Sequence, residues 1–195
     1  MELIGRIVRL QVQESSLKVG DRLRRRYEPG PIRVVPALIL DHNGVMGQAE
    51  DGGAIPDVHN ATHLASKNRA GSNGISVGFT SHYAAMRARF GDHLADGIAG
   101  ENILVATDRI FTEADFAAGI QIDAADGAMI RLEAVIFAEP CVEFSRSALR
   151  YPLDAPSDRA VTDALTFLRE GTRGFYATYP GAPATIAVGA AVHLL

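Results

Sequence analysis

Gly97-Ile-Ala-Gly-Glu-Asn-Ile103 and Ala138-Glu-Pro-Cys-Val-Glu-Phe-Ser-Arg146 bracket the stretch whose reading decides the fold. Between them Gly119-Ile-Gln-Ile122 and Ala128-Met-Ile-Arg-Leu-Glu-Ala-Val-Ile-Phe137 lie on either side of Asp126-Gly127. Two apolar, β-branched runs split by a turn dipeptide read as neighbouring strands. Such strands would bring Asn102 and Cys141 together as the floor and wall of a small-molecule site, with the rest of the chain forming a barrel around it.

Working outward, the same strand signal recurs. Leu3 to Val12 alternates as an opening strand, Ile32 to Leu40 follows, and Asn43-Gly44 supplies a hairpin turn into Val45 and Met46. Ala49 to Gly74 has scarcely any apolar period and reads as a long irregular connection, a length that in compact domains usually goes with function or disorder. Ile75, Val77 and Phe79 form a brief strand. Thr80 caps a helix with Tyr83, Met86 and Phe90 on one face, and Gly91 stops it. Glu101 to Ala106 is a strand, and Thr112-Glu-Ala-Asp115 a capped helical turn.

Past Pro140 a helix starts just behind the cysteine, over Val142 to Arg150. A second runs from Asp158 to Glu170, capped by Ser157 and stopped by Gly171. Phe175 to Tyr179 and Thr185 to Leu195 close the chain as strands. Many short strands with few helices between them predict a mainly β fold: a closed or nearly closed β-barrel in one domain over residues 1–195, with the late helix packed outside.

The 195 residues suffice for one well-cored domain, and 47% hydrophobic with 22% charged residues excludes wholesale disorder. A formal charge of −4 gives no general drive toward nucleic acid. Arg22, Arg24, Arg25 and Arg26 are the exception, either a solvated loop or an anion-binding patch. One cysteine cannot form an intramolecular disulfide, and the chain opens on no leader pattern, so a cytoplasmic setting is expected. The apolar runs are strand-length, so no membrane role is expected.

The chemistry-bearing candidates are few. Cys141 is either a small buried hydrophobe or a working thiol. Glu139 and Glu143 oppose a thiolate by like-charge repulsion, whereas the helix start behind it and Arg146 favour one. Gly97 and Gly100 permit close backbone approach to a ligand, and Glu101 and Asn102 then offer polar contacts. His59 and His63, with Asp57 and His42 nearby, have only a loose likeness to zinc spacing. Lys67, Asn68 and Arg69 form a donor cluster suited to phosphate or carboxylate. No Gly-x-Ser-x-Gly elbow supports hydrolase chemistry.

Together, Gly97-Ile-Ala-Gly-Glu-Asn-Ile103, Ile110 to Ile120, Met129 to Val135, Pro140-Cys141 and Gly171-Thr-Arg-Gly174 resemble the MOSC domain, the C-terminal domain of molybdenum cofactor sulfurases, which also occurs as stand-alone proteins. The resemblance implies a barrel of the pyruvate-kinase-like type in which the cysteine carries a sulfur or ligates the molybdenum of a pterin cofactor (molybdopterin). Carried over, Cys141 is that sulfur, and Gly100, Glu101 and Asn102 line the pocket with Arg146 nearby. The loop with His63, Lys67, Asn68 and Arg69 closes over it.

The chain departs from many relatives at Asp57-Val-His-Asn-Ala-Thr-His63. It also has no aminotransferase-like domain to mobilise sulfur with pyridoxal phosphate, and no iron–sulfur or flavin domain. A molybdenum-dependent reductase of N-hydroxylated compounds would therefore need an external electron donor. A persulfide carrier would need a cysteine desulfurase-type sulfur donor. The third reading is a non-catalytic barrel, a binding or interaction module that keeps the fold without the chemistry.

Overall fold

In a computed structural model the chain is described over residues 1–21, 24–68, 71–152, 157–169 and 171–195. The strands are β1 Glu2–Gln13, β2 Lys18–Val19, β3 Arg26–Tyr27, β4 Ile32–Val34, β5 Ala37–Asp41, β6 Gly44–Gln48 and β7 Ala54–Pro56, then β8 Ile75–Phe79, β9 Ile103–Ala106, β10 Ile120–Asp123, β11 Met129–Phe137, β12 Phe175–Thr178, β13 Ala184–Ala187 and β14 Ala191–Leu194. The helices are α1 Thr80–Phe90, α2 Val142–Ala148 and α3 Arg159–Leu168, with a 3-10 turn at Glu113–Phe116.

β1, β14, β10, β11, β12, β8 and β9 pair in that order and return to β1, which closes a seven-stranded barrel. β1 is the seam. Its first half pairs with β14, its middle with β9 and its end with β4, and register shifts at Leu3/Gly5 and Ile7/Arg9 supply the bends that such sharing requires. Closure removes the edges that an open sheet would expose. All pairs in the ring are antiparallel except β8 with β9, joined through α1 as a crossover. A separate sheet, β13-β5-β6-β7, and the β2–β3 hairpin flank the barrel.

Alternation decides what fills the barrel. Ile103 and Val105, Ile120 and Ile122, Phe175 and Ala177, and Val192 and Leu194 all join one buried core. Phe79, Phe111, Phe116 and Phe175 pack there with ring centroids 4.7 to 6.0 Å apart. The interior is therefore solid. Leu104, between two core residues of β9, faces the other way into a second cluster with Tyr83, Met86, Phe144, Ala148 and Leu168. This outer cluster fixes α1, α2 and α3 against the barrel's flank, so the late helix does pack outside.

Several boundaries differ from the sequence expectations for local reasons. The run from Ile32 to Leu40 is two strands, β4 and β5, parted at Pro36, which has no N–H for a ladder. The hairpin loop is His42-Asn43, so Gly44 alone takes the positive φ, 119°. Thr80 is the first residue of α1 and not its cap. Its Oγ1 is taken by the backbone of Thr107, donating to the carbonyl and accepting from the N–H, each at 3.0 Å.

Asp158 rather than Ser157 caps α3, accepting from Ala160 and Val161 N–H at 2.9 and 3.3 Å. Position 170, the expected end of that helix, lies outside the described residues. The closing run from Thr185 is broken into β13 and β14 by a turn with Gly189 at φ 93°. The expected turn at Thr112 forms a reciprocal capping box with Asp115.

Candidate functional site

Cys141 lies between the end of β11 at Phe137 and the start of α2 at Val142, and its Sγ accepts the Phe144 N–H at 3.4 Å as the helix N-cap. It is half-buried. The sulfur lines a cleft of about 230 Å³ with Gln13, Lys18, His59, Lys67, Arg173 and Tyr176 among its walls. Tyr176 reaches it because its β12 neighbours Phe175 and Ala177 point into the barrel. The cleft thus sits on the outer flank of the barrel, against the helical layer. The expected site enclosed by the barrel is excluded by the phenylalanine packing inside.

The far wall is set by Asp57, wholly buried at the start of the long loop. Its Oδ2 accepts from Gln13 N–H at 2.7 Å and from Asn102 Nδ2 at 2.8 Å. Its Oδ1 accepts from His59 N–H at 2.8 Å and meets His59 Nδ1 at 2.9 Å. A carboxylate against Nδ1 fixes that nitrogen as the protonated one and leaves Nε2 as the ring's other polar atom. Asn102 is spent inside this network, because its Oδ1 also accepts from Ser76 N–H at 3.0 Å and Ser76 Oγ at 2.8 Å. Its place is therefore behind Gln13 and Asp57, not beside Cys141 as the sequence suggested.

A second buried chain backs the other wall. Arg173 donates to the Ala99 carbonyl and lies 5.2 Å from the Phe144 ring centroid. Ala99 N–H donates to Tyr83 Oη at 2.9 Å, and Tyr83 donates to Glu101 Oε2 at 2.9 Å. Burial raises the Glu101 carboxyl, against the opposing pull of Arg173, and it raises the Tyr83 phenol well above its usual range. Among the described residues Glu101 Oε1 has no hydrogen-bond partner. Glu101 fits there because Gly78 lacks a Cβ, which would fall 2.8 Å from its Cγ and Oε1. Tyr27 donates to the Ile98 carbonyl at 2.8 Å and packs edge-on to Phe144. Burial raises its phenol too, with Arg173 pulling the other way.

Of the residues singled out in the sequence, the structure brings Cys141, Glu139, His59 and Lys67 to the cleft. Glu101 and Asn102 are buried behind it. Gly100 is likewise behind, where its carbonyl accepts from Gln13 Nε2 at 2.7 Å and a Cβ would collide with Leu17 and Gln13. His63 is turned to its own loop, with Nδ1 accepting Ala65 N–H at 3.1 Å. Asn68 braces the loop, donating to the His59 carbonyl at 3.0 Å and accepting from Ser72 and Asn73 at 3.3 Å. Arg69 lies outside the described residues. Arg146 lines a separate groove with its guanidinium 5.4 Å from the Tyr151 ring, since five residues at 3.6 per turn put it roughly 140° round α2 from Cys141.

Sequence reasoning missed Gln13, Lys18, Tyr27, Arg173 and Tyr176 as cleft residues. Only Arg173 carried a signal, its place between Gly171 and Gly174, which adopt φ of 101° and 109°. Among the described residues no set of three or more His, Cys, Asp or Glu side chains is placed to hold a metal ion. No helix among them is long and apolar enough to cross a membrane.

Against known proteins, the YuaD protein of Bacillus subtilis superposes with a TM-score of 0.59 at 14% identity, covering 96% of this chain and 93% of that one. YiiM from Geobacillus stearothermophilus, a MOSC-domain protein, gives 0.50 at 15% identity over 100% of this chain and 74% of that one. The fold is MOSC-like. A further solved structure titled only as a hypothetical protein gives 0.54 at 13% identity, covering 96% and 67%. No family profile and no curated protein matches the sequence. At these identities the likeness concerns the fold alone.

Proposed function

We propose that the cleft binds an anionic, pterin-type molybdenum cofactor through the Cys141 thiolate and that the chain reduces N-hydroxylated compounds with electrons from an external donor. The observation that carries this reading is the donor set: one half-buried thiol in the same cleft as Lys18, Lys67, Arg173 and His59.

The residues suit such a group. A thiolate is a soft ligand appropriate to a redox metal, and guanidinium and ammonium groups suit phosphate and other oxyanions. Since the described residues offer one thiolate rather than a protein-built cage, the metal that fits is one already held by an organic ligand. At about 230 Å³ the cleft falls below the roughly 300–1,000 Å³ of sites that enclose a whole small molecule, so it would hold part of the cofactor.

When bound, the cofactor would supply the redox chemistry. The chain's own residues would do the rest. Lys18 and Lys67 attract and hold anionic groups at the mouth. Arg173, fixed by Ala99 and Phe144, offers a preorganised donor fork. His59, held by Asp57, presents Nε2 as a hydrogen-bonding group for a substrate.

Metal analysis of protein purified from a molybdenum-replete host tests the proposal. Wild type is expected to carry molybdenum and Cys141→Ser to lose it; trace occupancy in both would overturn it.

A second reading, a sulfur carrier with a persulfide on Cys141, is favoured by the sulfur's partial exposure at a helix N-cap, where it meets a backbone donor and a soluble sulfur donor could reach it. Incubation with a cysteine desulfurase and cysteine should then add the mass of one sulfur to wild type and nothing to Cys141→Ser. If neither metal nor sulfur is taken up, a binding module without chemistry is what remains.

A further inference from the structure

Beside the thiol cleft, and sharing Tyr27 as a wall, lies a groove of about 300 Å³ lined by Arg25, Arg26, Arg146 and Arg150, with Glu143 as its acid. Four arginines against one glutamate give this face the opposite sign to the chain, whose formal charge is −4. Glu143 lies 3.9 Å from both Arg25 and Lys18, and Glu28 lies 4.0 Å from Arg26, so the two carboxylates offset part of the charge and leave an excess of two arginines over acids on this face.

A second observation concerns Arg150. It follows the C-cap Leu149 of α2, and its N–H bonds to the Ser147 carbonyl at 3.0 Å while Tyr151 N–H reaches back to the Arg146 carbonyl at 2.8 Å. That is a Schellman turn, whose left-handed position is ordinarily filled by glycine. Arg150 occupies it at φ 51°. Glycine would close the same turn without strain, so what the arginine adds is a cation on the groove wall. Strained backbone of this kind collects at ligand sites.

We propose that this groove is a second anion site, distinct from the Cys141 cleft, that takes a phosphate-class oxyanion through Arg25, Arg26 and Arg150. Phosphate suits the planar guanidinium fork, which can make two parallel hydrogen bonds to it. Inorganic phosphate and the phosphate of an organic ester would share this chemistry.

The test is titration calorimetry on the metal-free full chain with inorganic phosphate, pyrophosphate and phenyl phosphate, at ionic strength matched with sodium chloride. Wild type should bind saturably. Preference for phenyl phosphate would assign the site to an ester, and preference for the inorganic ions to free phosphate.

Arg150→Gly should weaken binding about tenfold, the loss expected of one charge-assisted contact, and at the same time raise the melting temperature by relieving the left-handed strain. Arg26→Ala should weaken binding without raising the melting temperature, and Arg131→Ala, exposed on β11 and lining neither the groove nor the cleft, should leave the affinity unchanged. Unaltered affinity in an Arg26→Ala and Arg150→Gly double variant would overturn the proposal. So would a hexaglutamate peptide binding more tightly than pyrophosphate, which would mark the face for an acidic protein. The readout needs neither molybdenum nor a persulfide, and Arg26 and Arg150 line the groove and not the cleft, so failure of this proposal is distinguishable from failure of the cleft's function.

Discussion

Removing the Asn102 side chain should cost about 4 kcal/mol of folding stability, and the arithmetic comes from its partners. Asn102→Ala deletes two bonds to Ser76, at 3.0 and 2.8 Å, one to the Gln11 carbonyl at 3.2 Å and one to Asp57 Oδ2 at 2.8 Å. An ordinary intramolecular hydrogen bond contributes about 1 kcal/mol net, and one to a charged group somewhat more. Ser76, Gln11 and Asp57 are exposed by only 8%, 1% and 0%, so water has little access to replace what is lost. Against a typical domain stability of about 5–15 kcal/mol this is a large fraction. Urea unfolding should show a lower midpoint with the denaturant slope retained. A loss under about 1 kcal/mol, accompanied by weaker ligand binding in the cleft, would refute the structural reading and put Asn102 in contact with ligand.

Cys141→Ser should change stability by less than about 1 kcal/mol, because serine is a favoured N-cap and can accept the same Phe144 N–H; urea midpoints check this beside the metal and sulfur assays. His82 is buried between the Gly171 carbonyl and Phe111 N–H, and burial lowers its pKa from 6.5 to about 4 against the opposing backbone bond. The unfolded chain therefore binds the proton first, so stability present above pH 6.5 is lost as pH falls toward 4, by about 3 kcal/mol; urea midpoints across that range should show a slope that His82→Gln lacks. Gly78→Ala should cost about 1–3 kcal/mol by driving a methyl into the buried Glu101 side chain, and a melting temperature equal to wild type would show that Glu101 has room to move.

The barrel was legible because its strands alternate cleanly: Ile120 and Ile122, Ile130 and Leu132, and Val192 and Leu194 sit at period two and all face the core. Breaks inside apparently continuous runs were not. Nothing in the apolar period of Thr185 to Leu195 distinguishes one strand from two, and the break depends on the Gly189 turn, which lets β14 reach both β1 and β10. The thiol and Lys67 were legible by chemical type. Tyr27, Gln13 and Tyr176 were not, because a tyrosine or glutamine at a strand position looks the same whether it meets solvent or a cleft. That distinction is made by which distant segments the barrel brings alongside. Asn102 was misplaced for the converse reason, since a polar residue after a glycine turn reads as ligand-facing until its partners Ser76 and Asp57 are known.

The location of the site follows from the packing. Phe79, Phe111, Phe116 and Phe175 fill the barrel, so the space open to a ligand is the cleft at the seam between the barrel wall and the helical layer. At that seam a residue can be held by the outer cluster and still reach solvent. Cys141, Tyr27 and Arg173 are held in this way around Phe144, itself only 1% exposed. Phe144 therefore couples the thiol, the phenol and the guanidinium. Its ring carries the Tyr27 edge and the Arg173 face, and its N–H meets the sulfur. A change in its packing would move all three at once, whereas a change inside the barrel would reach them only through the wall.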